Sequence, residues 1–294
     1  MKTLFIFLTL LGYSIAKRVS CHACLNTVCY RRDRIVQGIK FSGQLAIDRS
    51  SNILYFHYQN RSEDYTAAFD LYNVRLKTIK RGFSFGFAVD QTTKDLYMTN
   101  EQGLYRYNPE KNNSELFGLN DKTIWQLQYE NKLFYSEFRK KGIFTYENKK
   151  SKLIPGTEYE VDDFIVDKMG DIYFMHNFSI YVLKNGAKSA ELFEDEIYYL
   201  TTDRDGDAYF IQPFTRAVYK MNYKYDKRIL KELGAFSRGY AFIVVFDGDN
   251  DIIYYDGSDK KLYYLSQTAN RCTVTAKRVG KNLNMVISMP PDGD

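Results

Sequence analysis

Apolar and polar residues alternate along most of the chain, and the alternation recurs in units of similar length. Residues 164–184 show one unit: an apolar run that ends at Asp167, a turn at residues 168–171, an aromatic strand and a further alternating strand. The same order recurs from Phe87, Leu45 and two later starting points. A period of two residues predicts strands, and no long stretch has the spacing of an amphipathic helix.

The central aromatic strand of each unit gives the length of the repeat. Its anchor residues are Tyr55, Tyr97, Phe134, Tyr173, Tyr209 and Tyr254, which are separated by 42, 37, 39, 36 and 45 residues. An apolar strand precedes each anchor, an alternating strand follows it, and a more polar strand closes most units. Four short strands in about 40 residues are typical of a β-propeller blade. The sequence therefore predicts an all-β, six-bladed β-propeller.

The two ends of the repeat allow two ways of closing the propeller. The residues after Gly280 resemble the start of another inner strand, and residues 29–38 resemble the end of a blade. Together, these two segments would form a composite seventh blade. Alternatively, residues 31–39 would pair with the outer edge of the last unit. Six blades are favoured because a composite blade would lack an aromatic anchor strand. We expect the propeller to span residues 43–294, after a cysteine-rich segment and closing strand at residues 17–42.

The first residues have the pattern of a secretory signal peptide. Lys2 precedes an apolar run at residues 4–11, and the small residues Ser14 and Ala16 predict cleavage after Ala16. The run is shorter than the ~20 residues that a membrane anchor needs. We therefore expect residues 1–16 to be removed from a secreted chain that has no membrane association. Removal of Lys2 lowers the formal charge from the +5 of the full chain, and the interleaved acids and bases do not favour a nucleic-acid partner.

Four cysteines, Cys21, Cys24, Cys29 and Cys272, predict two disulfides in a secreted chain. Three connectivities are open, and in each of them one N-terminal cysteine joins Cys272. A zinc site is disfavoured because no second pair of ligands has similar spacing.

Three Asn-x-Ser sequons lie at Asn60, Asn112 and Asn177. In a secreted chain each predicts a glycan if it lies on an exposed loop. We therefore expect a glycoprotein.

Catalytic motifs are missing from the sequence. It has no Gly-x-Ser-x-Gly elbow, no His-Glu-x-x-His pair and no phosphate-binding loop. His57 and His176 are interpreted as loop residues at strand ends. The alternating aspartates at residues 203–207 and 247–251 are interpreted as structural turns, because a later calcium-binding Glu is missing.

Asp162 and Asp163 leave one enzymatic alternative open. They directly precede an inner strand, where they would face the central channel of a propeller and hold a metal ion, as in a lactonase-like hydrolase. No matching set of Glu, Asn and Asp residues accompanies them in the other units. We therefore expect a protein that is not an enzyme and that needs no metal or cofactor.

Aromatic and cationic residues before the inner strands predict a small-molecule binding site at one mouth of the channel. Aromatic rings stack on a planar ligand and arginine pairs with its acidic groups. Trp125, the only tryptophan, is the first candidate. The further candidates are Arg81, Phe85, Tyr198, Arg238 and Tyr240.

The N-terminal motifs CHACLNTVCYRRDRIV, GQLAID and NILYFHY resemble those of the ommochrome-binding proteins of insect haemolymph. The resemblance implies a secreted haemolymph carrier of ommatin-type pigments, which are planar, acidic and derived from tryptophan. It implies no particular binding residues. A monomer with a small-molecule pigment as its partner is expected, and a glycosylated protein-interaction propeller is a weaker alternative.

Overall fold

The computed structural model describes residues 21–36, 39–82, 84–120, 122–195, 197–224, 227–279 and 282–288. In these ranges, all regular secondary structure is β-strand. The predicted signal peptide, residues 1–16, lies outside them. None of the described residues forms a helix with the length and apolar character needed to cross a membrane.

Twenty-four of the 27 described strands form six units, each with four antiparallel strands. The innermost strands are β3 (Lys40–Asp48), β7 (Phe87–Val89), β11 (Ile124–Tyr129), β15 (Asp163–Val166), β19 (Tyr199–Thr202) and β23 (Ala241–Phe246). The second strands are β4 (Ile53–Asn60), β8 (Leu96–Asn100), β12 (Leu133–Glu137), β16 (Ile172–His176), β20 (Ala208–Gln212) and β24 (Ile252–Asp256). The third strands are β5 (Glu63–Asp70), β9 (Gly103–Asn108), β13 (Ile143–Glu147), β17 (Ser179–Leu183), β21 (Ala217–Lys224) and β25 (Lys261–Arg271). The outermost strands are β6 (Arg75–Arg81), β10 (Asn113–Gly118), β14 (Lys150–Leu153), β18 (Glu191–Asp195), β22 (Lys227–Phe236) and β2 (Val28–Arg34).

The inner strands follow one another in a closed ring, from β3 through β7, β11, β15, β19 and β23 back to β3. The predicted aromatic anchors lie on the second strands and are buried between neighbouring sheets. Tyr173, for example, contacts Phe210 of the next unit edge-to-face at 5.2 Å between ring centroids. Each sheet thus buries its faces against its neighbours, and the prediction of an all-β propeller is confirmed.

An N-terminal hairpin closes the ring. β2 pairs with β25 as the outer strand of the last unit, and β1 (Ala23–Leu25) pairs with β22 of the preceding unit. The two units therefore share one nine-stranded sheet. β26 (Thr273–Val279) and β27 (Asn282–Ser288) form a separate two-stranded sheet. The count of six blades stays a prediction, because residues 289–294 lie outside the described ranges.

Two disulfides hold this closure, as predicted. Cys24 of β1 is bonded to Cys272, which lies between β25 and β26, and Cys21 is bonded to Cys29. The sequence left three connectivities open, and the structure selects the one that links β1 to the last unit.

The alternating aspartates form turns at the ends of inner strands, as interpreted. Oδ1 of Asp203 accepts hydrogen bonds from the backbone N–H groups of Asp205 and Asp207, at 3.0 and 2.9 Å. Lys220 neutralises this turn with its ammonium 2.9 Å from Asp203 and 2.8 Å from Asp207. Asp247 organises its turn in the same way.

The interpretation of His57 as a loop residue is wrong. His57 is buried within β4, where its Nδ1 lies 2.6 Å from Oγ of Ser42 and its Nε2 lies 3.2 Å from Oδ1 of Asp64. Burial lowers its pKa. This polar link ties β3, β4 and β5 together. His176 is the last residue of β16, in agreement with its interpretation as a strand-end residue.

The three sequon asparagines, Asn60, Asn112 and Asn177, are exposed at strand ends and turns. They are therefore accessible to a glycosylating enzyme. Glycan attachment stays a prediction.

Candidate functional site

The ring of inner strands surrounds a central cavity of about 410 Å³. Residues from all six inner strands line it. Residues at the strand starts, such as Phe85 and Trp125, contact one another at one end, which we call the mouth. Arg49 and the last residues of β19 and β23 meet at the other end, which we call the floor.

Trp125 is held in a fixed orientation at the mouth. Its indole stacks on Phe85, with ring centroids 4.3 Å apart and planes inclined by 23°. Phe138 contacts the indole at 5.1 Å, and the indole N–H donates a 2.7 Å hydrogen bond to the carbonyl of Asp162. This hydrogen bond satisfies the polar edge of the ring, as is usual for a partly buried Trp.

Further aromatic residues complete the mouth. Tyr198 lines the cavity and makes edge contacts at 5.7 Å with both Phe178 and Phe214, which are 72% and 67% exposed. Tyr199 and Phe242 also line the cavity, with ring centroids 4.8 Å apart. Apolar rings thus surround the entrance on several sides.

Arg49 bridges strands at the floor. Its Nε donates to the carbonyl of Phe246 at 3.2 Å, and its Nη2 donates to the carbonyl of Thr202 at 2.9 Å. Burial lowers the pKa of this guanidinium, and the negative charges of Asp203 and Glu130 oppose the shift. Because arginine has five N–H donors, Arg49 has donors to offer an acidic group in the cavity.

Glutamine side chains join the inner strands along the wall. Gln44 donates to the carbonyl of Leu127 at 2.9 Å and accepts from the N–H of Leu127 at 3.2 Å. Gln128 makes the same pair of bonds with Val166 of the next strand, at 3.0 and 2.7 Å. The buried Oε1 of Gln126 has no hydrogen-bond partner among the described residues. The wall is therefore rigid but contains one unused acceptor.

Asp162 and Asp163 lie on the cavity wall near the mouth. Oδ1 of Asp163 accepts the N–H of Phe164 at 2.9 Å. Burial raises the pKa of Asp163 to about 7, and the charge of Asp162 acts in the same direction. Burial also raises the pKa of Asp162, although the nearby His176 opposes this shift. In the described part of the chain, no three His, Cys, Asp or Glu side chains come together to form a metal site.

Three of the six predicted ligand residues come together in the cavity, namely Phe85, Trp125 and Tyr198. Arg238 and Tyr240 are exposed and do not line it. The backbone N–H of Tyr240 instead donates to Asp256 at 3.0 Å. The backbone of Arg81 ends β6, and its side chain lies outside the described residues.

Phe242 and Arg49 are cavity residues that the sequence reasoning missed. In the last unit the cavity lining begins at Phe242, inside β23, so the loop before that strand points elsewhere. Arg49 directly follows the aspartate that ends β3. This position, one residue after an inner strand, is the sequence feature from which Arg49 could have been predicted to line the cavity.

One curated protein resembles this chain along most of its length. It is the ommochrome-binding protein of Manduca sexta, which is 22% identical over 261 residues, corresponding to 85% of this chain and 93% of that protein. No protein-family model matches the chain.

Solved structures with the same architecture are more distant in sequence. A gluconolactonase from Xanthomonas campestris superposes with a TM-score of 0.62 at 10% identity, covering 85% of this chain and 96% of that one. The calcium-binding protein regucalcin from Agrobacterium tumefaciens superposes with a TM-score of 0.59 at 13% identity, covering 80% and 93%. At such identities the similarity supports the propeller fold alone.

Proposed function

We propose that this protein is a non-enzymatic carrier that binds a planar aromatic acid, of the ommatin type, in the central cavity. The main support is the oriented indole of Trp125 at a cavity mouth built from aromatic rings. The name of the Manduca sexta relative agrees with this proposal. An acidic group on the ligand would pair with Arg49 at the floor, in place of the predicted Arg81 and Arg238.

The location of the carrier is part of the proposal. Two disulfides are typical of a chain that folds in an oxidising compartment. Together with the predicted signal peptide, they favour secretion. The resemblance of the N-terminal motifs to those of haemolymph proteins supports haemolymph as the fluid.

A fluorescence titration tests the carrier function. Xanthurenic acid, a planar aromatic acid, should quench the emission of Trp125, since a stacked ring deactivates the excited indole. By calorimetry, Trp125→Leu should weaken binding about three- to tenfold, because it removes an aromatic contact worth about 0.5–1.5 kcal/mol. Tyr72→Leu is the matched control, because this ring is 70% exposed and does not line the cavity. Unchanged fluorescence together with wild-type affinity of the Trp125 variant would contradict the proposal.

A metal-dependent hydrolase is the second candidate, and the pair Asp162 and Asp163 on the cavity wall favours it. The two candidates differ in their response to a chelator. A carrier binds xanthurenic acid equally well in EDTA and releases no hydrolysed lactone. A metal ion that copurifies with the protein, and a lactonase activity abolished by EDTA, would support the hydrolase instead.

A further inference from the structure

Asp163 differs in its charge balance from Asp171 and Asp256, two buried aspartates of the propeller. Asp171 pairs with Arg228, and Asp256 pairs with Arg32 at 3.3 Å. No ion pair with Asp163 forms among the described residues, although this carboxyl lines the cavity. A partly desolvated carboxylate without a cation is costly, so its position at a cavity wall calls for a partner from outside the chain.

The hydrogen bonds of Asp163 leave capacity for such a partner. It is the first residue of β15, and its Oδ1 accepts one bond from the N–H of Phe164. Its second carboxyl oxygen makes no hydrogen bond within the described ranges. Gln126 on the neighbouring strand β11 contributes the unused buried Oε1. Two acceptors that lack donors thus lie on adjacent strands of the same wall.

The groups around Asp163 do not neutralise it. Asp162 beside it is acidic, and Tyr199 on β19 is a neutral phenol whose pKa is raised by burial and by Asp163 itself. The nearby His176 lowers the pKa of Asp162 and Glu160 raises it, but neither residue pairs with Asp163. Arg49 is the cation that lines the described cavity, but it lies at the floor, whereas Asp163 lies at the start of its inner strand near the mouth. Near the mouth, the described cavity wall therefore carries acidic side chains without an arginine or lysine beside them.

We propose that the ligand carries a protonated amino group beside its aromatic ring, and that Asp163 binds this group, with Gln126 as a second acceptor. This inference rests on the proposed carrier function and narrows the ligand class to aromatic amino acids and arylalkyl amines, whose amino group is protonated at neutral pH. The ring would contact Trp125 while the ammonium reaches the wall below it.

Two matched probes test the inference. L-kynurenine has an α-ammonium group, and 4-(2-aminophenyl)-4-oxobutanoic acid is the same molecule without it. The wild-type protein should bind L-kynurenine about tenfold more tightly, as expected for a hydrogen-bonded charge. Asp163→Asn should reduce this preference to less than about twofold while the affinity for the second probe is kept. Asp205→Asn, the same change at an exposed turn, should preserve the preference.

The pH dependence gives a readout that needs no variant. Below its pKa of about 7, Asp163 is protonated and loses its attraction for an ammonium. Affinity for L-kynurenine should therefore rise between pH 5.5 and pH 8, whereas the preference over the second probe should vanish at the acidic end. Equal affinities of the wild-type protein for both probes at pH 8, or a preference that survives Asp163→Asn, would overturn this inference. Failure of both probes to bind would instead contradict the carrier function, and this inference with it.

Discussion

Arg49 is the residue through which the floor of the cavity and the stability of the ring are coupled. Its side chain starts after β3 and bonds to carbonyls at the ends of β19 and β23. The same guanidinium therefore links three inner strands, and Arg49 also lines the cavity. Residues with two such roles should show losses of both binding and stability when they are replaced.

Arg49→Gln should weaken xanthurenic acid binding about 10- to 100-fold, the range for a lost hydrogen bond to a charged group. It should also lower the free energy of unfolding by about 1–3 kcal/mol, because the carbonyls of Thr202 and Phe246 lose a donor. Arg238→Gln is the matched control and should change neither value, since Arg238 is exposed. Calorimetry and urea denaturation measure the two effects. If Arg238→Gln weakens xanthurenic acid binding more than Arg49→Gln does, the acidic group of the ligand does not bind at Arg49, and the proposed site is wrong.

At the scale of single residues, the sequence predicts which types of residue line the cavity better than it predicts their positions in the chain. Trp125, Phe85 and Tyr198 were located because each directly precedes or opens an inner strand. The same rule failed for Arg238 and Tyr240, because β23 begins only at Ala241 and the preceding loop turns towards Asp256. A loop's direction depends on tertiary hydrogen bonds, which leave no periodic signal in the sequence.

At the scale of the structural element, the turn aspartates determine the geometry of the four-stranded unit. In the fifth unit Asp203 accepts from two backbone N–H groups and from Lys220. The alternation of apolar residues predicted the inner, second and third strands, because burial on one or both faces imposes a period of two. It did not predict β1, which has three residues and lies among the cysteines. Such a short strand is defined by its partners β2 and β22.

Asp203→Ala should lower the free energy of unfolding by about 2–3 kcal/mol, because it leaves the N–H groups of Asp205 and Asp207 without their acceptor and removes a partner of Lys220. Asp205→Ala in the same turn should cost less than about 0.5 kcal/mol, since its side chain is exposed. Thermal or urea unfolding of the two variants decides between this structural role and calcium binding. Equal losses in both variants, reversed by added calcium, would contradict the structural role.

At the scale of the whole molecule, the two disulfides close loops of very different length. Cys24 and Cys272 are separated by 248 residues, whereas Cys21 and Cys29 are separated by 8. Cross-linking distant residues restricts the unfolded chain more than cross-linking near neighbours. The even number of cysteines predicted two bonds, but the pairing depended on β1, which the sequence did not reveal.

Replacing Cys24 and Cys272 with Ser should therefore destabilise the protein by about 2–5 kcal/mol, and more than replacing Cys21 and Cys29. The second pair is the matched control, because it lies in the same N-terminal segment. Denaturation of both double variants under non-reducing conditions measures the difference. A larger loss from the short-loop pair would show that the long-range bond adds little to closure.

The N-terminal hairpin also sets the order of events when the chain is made. β1 and β2 leave the ribosome first, yet β22 and β25, their partners, are among the last strands to be synthesised. Such pairing has a high contact order and a slow loop closure. Until it happens, the outer edges of the last two sheets have unpaired backbone groups, which invite pairing with other chains. The vulnerable species of this protein is thus a nearly complete, open propeller, and any factor that shields the edges of β22 and β25 would raise the yield of folded molecules.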